Sequence, residues 1–205
     1  MQMIRLSPLA AVLALALAPG LAAGAAFAQT KKPAAKTADT KTKAVAKTGA
    51  KAAPAPGGGK ALELGKYGDW GAYLTQAGKS KTCYALATPK DRQPGTLKRD
   101  PAYVFISHRP GEGVRGEISV IMGFPLKEGS ADAAADVGGA NFGLITKGTN
   151  AWVKNVAEET QLVDAMRKGA KLVIKAPSAK GNVTTDTYSL NGLSQALERV
   201  QKECP

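Results

Sequence analysis

The chain contains one histidine and two cysteines, which limits the chemistry that its side chains can perform. A serine–histidine–aspartate mechanism would have to use His108. Its neighbour Ser107 would point to the opposite face of a strand, and no G-x-S-x-G motif is present. His108 also stands beside Arg109, which is more typical of a strand end at the surface than of a catalytic base. The same small counts exclude a metal cluster with several His or Cys ligands.

Carboxylate pairs could act without histidine, as they do in glycoside hydrolases. The candidate acids are scattered over predicted loops: Asp91, Asp100, Glu112 and Glu117. Asp132 and Asp136 lack the alternating oxygen ligands of a calcium loop. Residues 111–116 spell G-x-G-x-x-G, but a strand-like run follows where a nucleotide site needs a helix. We therefore expect a hairpin loop there, no cofactor, and no catalytic residue that the sequence singles out.

Cys83 and Cys204 are predicted to form a disulfide. Cys83 lies in an alternating, strand-like segment, and Cys204 continues the apolar stripe of a helical segment at the C-terminus. In an oxidising compartment two such cysteines pair by default, and the bridge would fix the helix onto the sheet. It would close a loop of about 120 residues. The alternative is two separate free thiols, one of them buried.

Trp70 and Trp152 are candidate binding aromatics, because exposed tryptophans are frequent at recognition surfaces. Each begins a strand-like run, so packing in the core is the alternative role.

The segment from residue 61 onward is predicted to fold mostly as antiparallel strands. The sequence contains about eight short strand-like runs, separated by turn sequences such as Gly78-Lys79-Ser80 and Lys147-Gly148-Thr149-Asn150. In most of them apolar and polar residues alternate, and two are compact apolar runs, around Tyr103–Ile106 and Ile118–Ile121. We expect a β-sandwich or a partly open barrel.

Two helices interrupt this pattern. Asn155 is a helix cap, with Glu158 and Glu159 in the first turn and Gly169 after Lys168. A second helix is predicted from about Gly192 to Glu203, with an apolar face that docks on the sheet: Leu193, Leu197, Val200 and Cys204.

Residues 1–28 are predicted to be an export signal. Arg5 precedes an apolar run, Pro19-Gly20 breaks it, and Ala26-Phe27-Ala28 matches the cleavage pattern. We expect cleavage after Ala28 and no membrane span afterwards. An uncleaved membrane anchor is the alternative, since the apolar stretch approaches spanning length.

Residues 29–60 are predicted to be a disordered linker rich in Lys, Ala and Pro. The segment holds eight lysines and one aspartate, so it carries most of the chain's net charge of +12. It has too little apolar surface to offset its ordering entropy. It is either a spacer or a contact with an anionic envelope polymer or membrane surface. The lysines that could make this contact are Lys31, Lys32, Lys36, Lys41, Lys43, Lys47 and Lys51. The export signal argues against nucleic acid as the partner.

Four short motifs resemble the invasion-associated locus B family of exported bacterial proteins. They are Gly68-Asp69-Trp70, Lys81-Thr82-Cys83-Tyr84, Arg167-Lys168-Gly169-Ala170-Lys171 and the segment 188–197, and the resemblance spans most of 66–204. It implies a β-rich protein that is periplasmic, associated with the outer membrane, or secreted. It implies no enzymatic activity.

The function expected from these features is that of a non-catalytic cell-envelope binding or structural protein. The alternatives are a periplasmic enzyme such as a glycan hydrolase, and an adhesin that contacts the host cell surface. A hydrolase would require a cleft with two converging carboxylates.

Overall fold

The structure is a computed structural model that describes residues 60–129 and 131–205. The first half of the domain consists of β1 (Leu62–Tyr67), β2 (Trp70–Ala77), β3 (Ser80–Ala87), β4 (Asp91–Gln93), β5 (Tyr103–Arg109), a 3-10 turn (Pro110–Glu112) and β6 (Val114–Ile121). The second half consists of β7 (Ala134–Val137), β8 (Ala140–Lys147), β9 (Asn150–Val153), α1 (Val156–Lys168), β10 (Lys171–Pro177), β11 (Val183–Ser189) and α2 (Leu193–Glu203). The predicted signal peptide and all of the predicted linker except Lys60 lie outside the described residues.

The strands form one antiparallel sheet in the order β1-β2-β3-β5-β6-β9-β8-β7-β10-β11-β4. This arrangement confirms the predicted class, a mostly β fold that fits a sandwich or a partly open barrel. It has eleven strands where about eight were expected. The three additional strands are β1, which contains a bulge, β4 with three residues and β7 with four. The bulge interrupts the alternation of β1, β4 consists of three polar residues, and β7 has one polar residue among four, so none of them shows a clear alternating pattern.

The alternation of side chains places one face of the sheet in a continuous core. On β5, Val104 and Ile106 are fully buried in this core together with Ile118 and Val120 of β6. The opposite face carries a second, smaller cluster of Tyr84, Tyr103 and Phe105, whose rings contact one another at centroid distances of 5.8 and 6.0 Å. Residues 110–113 form the β5–β6 turn and residues 114–116 begin β6, so the glycine-rich segment lies in a hairpin, as the sequence predicts.

Both predicted helices are present. Asn155 caps α1 through its side chain, which accepts a hydrogen bond from the amide of Ala157, and Leu162 and Met166 are buried. Helix α2 buries Leu193, Leu197 and Val200, and Cys204 follows directly with no exposed surface. The amphipathic pattern therefore fixed the inward face of each helix.

Segments far apart in the chain meet where β2 approaches the end of β11. The indole Nε1 of Trp70 donates to the carbonyl of Ser189 at 2.9 Å, and the amide of Asp69 donates to the carbonyl of Asn191 at 3.0 Å. Gly192 has φ +90°, and a Cβ there would lie 2.0 Å from the carbonyl oxygen of Tyr67. Only glycine fits this approach, which lets α2 begin directly against the β1–β2 turn.

Candidate ligand-binding cleft

A buried carboxylate between two arginines organises one end of the sheet. Residues of β11 alternate, so Thr184, Asp186 and Tyr188 all point inward and have no exposed surface. Asp186 binds Arg92 of β4 through Oδ2 at 3.0 Å, and it binds Arg99 through Oδ1 at 2.9 Å. Burial raises the pKa of Asp186, and both guanidinium groups oppose this shift. Two cations against one carboxylate leave a surplus positive charge in this part of the interior.

Arg92 also holds two loops together. Arg92 donates to the carbonyls of Asp100 and Met122 at 2.8 and 2.7 Å, and the amide of Asp100 donates to the carbonyl of Gly123 at 2.9 Å. Gly123 has φ +70°, and a Cβ there would lie 2.1 Å from the carbonyl oxygen of Asp100. The loop before β5 and the loop after β6 are therefore fixed in close contact, which requires glycine at this position.

An open cleft of about 830 Å³ lies between these two loops. Its walls include Pro101, Tyr103, Ile121, Phe124 and Pro125, and Lys98 lies in the first loop. The guanidinium of Arg99 stands 5.8 Å from the centroid of the Phe124 ring. The cleft is a largely apolar depression, and its walls are held by the buried arginines.

A smaller cavity of about 340 Å³ lies on the other side of the same wall. It shares Lys98, Arg99, Phe124 and Pro125 with the cleft, and its far side is formed by the β10–β11 turn, including Lys180. The turn is held in place because the amide of Ala179 donates to the carbonyl of Pro125 at 2.9 Å. Phe124 and Pro125 thus form a ridge with a cavity on each flank.

Comparison with known families identifies the chain. A family model described as invasion associated locus B (IalB) protein matches residues 74–201. The chain belongs to the invasion-associated locus B family. No curated protein and no solved structure matches it. The resemblance inferred from the short motifs is therefore confirmed, although Gly68-Asp69-Trp70 precedes the matched region. Membership supports an exported, envelope-associated protein. Neither helix in the described part of the chain has the length and apolar character needed to cross a bilayer.

Two of the motifs that carried the resemblance to the invasion-associated locus B family meet in space. Gly68-Asp69-Trp70 contacts segment 188–197 through the two hydrogen bonds to Ser189 and Asn191 given above. Lys81, two residues before Cys83, donates to the carbonyl and the carboxylate of Glu203 at 2.7 and 2.8 Å. These residues therefore join distant parts of the sheet and fix α2, which is a structural role.

The predicted disulfide is present between Cys83 and Cys204, with the two Cα atoms 5.9 Å apart. Both residues have no exposed surface. The bridge attaches the end of α2 to β3.

His108 lies at a strand end, as expected, but it is half-buried and not at the surface. It is paired across the sheet with Cys83 on β3 and with Arg115 on β6. Its buried Nδ1 has no hydrogen-bond partner among the described residues. Burial, followed by the charges of Arg115 and Arg167, lowers the pKa of His108, while a hydrogen bond with the main chain of Cys204 opposes this. This environment favours the neutral ring.

We expect His108 to make folding stability depend on pH. The pKa of His108 in the folded protein lies below the ordinary value of 6.5, so the unfolded chain binds a proton more readily. Its contribution is present above about pH 6.5 and is lost as the pH falls from there towards the folded pKa. In urea unfolding at pH 7.5 and pH 5, His108→Gln should lose less stability on acidification than the wild-type protein. Equal losses in both proteins would contradict this assignment.

The two candidate aromatics, Trp70 and Trp152, differ in their exposure to solvent. Trp70 is fully buried in the core. Trp152 is partly exposed on the opposite face of the sheet, paired with Ser119 and Ile145, and Ile145 is 46% exposed. Trp152 is therefore the one of the pair that a partner can reach. Neither residue lines the cleft.

Two of the scattered acids are engaged by one cation. Glu112 and Glu117 both bind Arg109, at 2.7 and 2.8 Å, and the guanidinium holds the pKa of Glu117 below its ordinary value. Asp100 lines the cleft, with its side chain exposed. Among the described residues the cleft therefore presents one carboxylate, Asp100, where a hydrolase of the expected kind needs two.

The cleft could not be predicted from the sequence. Its walls come from segments 98–103, 121–125 and 149, which no local motif connects. The available signal was Asp186 at an inward position of an alternating strand, because a buried carboxylate requires a cationic partner. The seven candidate polymer-contact lysines of the linker lie outside the described residues.

Proposed function

We propose that the protein is a non-catalytic binding protein of the cell envelope. The folded domain contacts an envelope component through the cleft, and the Lys-rich linker adds electrostatic attachment to anionic envelope polymers. The protein acts in the periplasm, at the outer membrane or after secretion. The observation that carries this proposal is the open, apolar cleft whose two loops are held by Asp186, Arg92 and Arg99. Preorganised walls reduce the ordering cost of binding.

Two contacts of different kinds should give multivalent attachment. Each linker lysine near an anionic surface contributes about 1 kcal/mol at most, and salt screens this contribution. A contact with the apolar cleft walls depends on buried area, which salt screens much less. Because both contacts are on one chain, binding at one raises the local concentration at the other.

Co-sedimentation with purified peptidoglycan and outer-membrane fractions, over a salt series, tests the proposal. The exported chain should sediment with at least one fraction. Replacing the seven linker lysines named above by glutamine should remove the part of binding that is sensitive to salt. The double substitution Lys98→Glu and Lys180→Glu, at the cleft and the adjoining smaller cavity, should weaken the binding that the linker variant retains.

The matched control is Lys171→Glu, an exposed lysine at the start of β10, the opposite end of that strand from the turn that borders the smaller cavity. It should sediment like the wild-type protein. Absence of the protein from every fraction at low salt would refute the proposal. If only the linker variant loses binding and the cleft variant does not, the domain has another role.

A further inference from the structure

A charged side chain next to the ridge of Phe124 and Pro125 borders both cavities. Lys98 lines the cleft and also the smaller cavity, as do Phe124 and Pro125. Lys98 is exposed, and no described carboxylate forms an ion pair with it; the same is true of Lys180 on the far side of the smaller cavity. Two cationic groups therefore border an apolar ridge.

The walls on the two flanks are mainly apolar. Pro101, Tyr103 and Ile121 face the cleft, and Leu97 and Ala179 face the smaller cavity. Neutral hydrogen-bonding side chains are few: Thr149 and the hydroxyl of Tyr103 in the cleft, and Ser178 and Asn182 in the smaller cavity. A neutral sugar needs several hydrogen-bonding partners for its hydroxyl groups, since each one buried without a partner carries a desolvation cost. This lining favours a ligand with extended apolar parts.

The electrostatics favour a negative charge on that ligand. The buried pair of guanidinium groups exceeds the single carboxylate of Asp186 by one positive charge, and Arg99 lies in the shared wall. Lys98 and Lys180 add two further positive charges. Asp100, in the lining of the cleft, adds one negative charge. An anionic group near Lys98 would therefore be attracted, while apolar chains occupy the flanks of the ridge.

We propose that the two cavities together bind an anionic amphiphile, such as a phosphate-bearing lipid of the envelope. Its acyl chains lie on either side of Phe124 and Pro125, and its phosphate lies between Lys98 and Lys180. This inference rests on the proposed envelope-binding function and names its ligand class. A phosphorylated or carboxylated glycan without acyl chains is the competing ligand that the experiment distinguishes.

The test is calorimetric titration of the exported chain with dihexanoyl phosphatidylglycerol below its micellar concentration. Dihexanoyl phosphatidylcholine, inorganic phosphate and a soluble peptidoglycan fragment are the comparison ligands. We expect phosphatidylglycerol to bind the most tightly of the four. The charge reversal Lys98→Glu should weaken its binding about tenfold. The control Lys171→Glu should leave it unchanged.

A second variant tests the apolar part. Phe124→Ala removes the ring of the ridge and should weaken binding of the lipid but leave the weak binding of inorganic phosphate as it was. Thermal unfolding of each variant checks that the domain remains folded. Should Phe124→Ala unfold, Ile121→Ser, at another apolar residue of the cleft lining, makes the same test.

Three results would overturn the inference. These are equal binding of phosphatidylglycerol and inorganic phosphate, tighter binding of the peptidoglycan fragment, and equal effects of Lys98→Glu and Lys171→Glu. In each of these cases co-sedimentation with envelope fractions would still stand, so the proposed function would survive. Loss of co-sedimentation with lipid binding intact would instead contradict the envelope role.

Discussion

Replacing Asp186 by alanine is expected to destabilise the folded domain by about 3–5 kcal/mol, because it leaves two arginines without their buried counter-charge. Arg99 is 4% exposed and Arg92 22%, so water cannot fully replace the lost carboxylate. Urea unfolding followed by circular dichroism at pH 7 measures the change. A protein of this size has a total stability on the order of 5–15 kcal/mol, so the loss is a large fraction of it.

The consequence should extend to the cleft. Arg92 joins the carbonyls of Asp100 and Met122, so a displaced Arg92 side chain releases both loops. The matched control is Asp164→Ala on the exposed side of α1, which should change stability by less than about 0.5 kcal/mol. A loss below about 1 kcal/mol for Asp186→Ala would show that the two arginines do not depend on this carboxylate.

Removing the disulfide is expected to have an effect of similar size. The double variant Cys83→Ala/Cys204→Ala should lose about 4–5 kcal/mol, because the bridge restricts a loop of more than a hundred residues in the unfolded chain. The two cysteines are 121 positions apart. The midpoint of urea unfolding should fall, and the slope should rise because the unfolded chain without its cross-link exposes more surface.

The reduced wild-type protein serves as the control for the double variant. Both lack the cross-link, so their unfolding curves should nearly coincide. The ion pair of Lys81 and Glu203 should keep α2 near β3 in the folded state of both proteins. Unchanged stability of the double variant would show that the cross-link does not limit the unfolded chain as the loop-entropy account requires.

The elements with a strong local pattern were predictable from the sequence. Alternation identified β2, β3 and β10, compact apolar runs identified β5 and β6, and a cap with charged ends identified α1. The inward stripe of α2 placed Cys204 in the core, where Cys83 also lies. Two buried cysteines and a predicted oxidising compartment were enough to predict their pairing. The short motifs were enough to indicate the family.

Other features depend on which segments the fold brings together. Strand β4 has three residues and is stabilised by its pairing with β11. Strand β7 is stabilised by its pairing with both β8 and β10. His108 became half-buried because Arg115, Arg167 and Cys204 come to it from β6, α1 and the end of α2. No local pattern around these residues carries that information.

The sequence by itself determined the β-rich class, both helices, the cysteine pair and the family, because periodicity, capping and short motifs are local properties of the chain. The tertiary structure decided the site. Lys98 and Lys180 border the ridge of Phe124 and Pro125 because Asp186 binds Arg92 and Arg99, Arg92 fixes the two loops, and the amide of Ala179 donates to the carbonyl of Pro125. A buried carboxylate needs cationic partners, but only the strand order β10-β11-β4 determines which arginines can reach it.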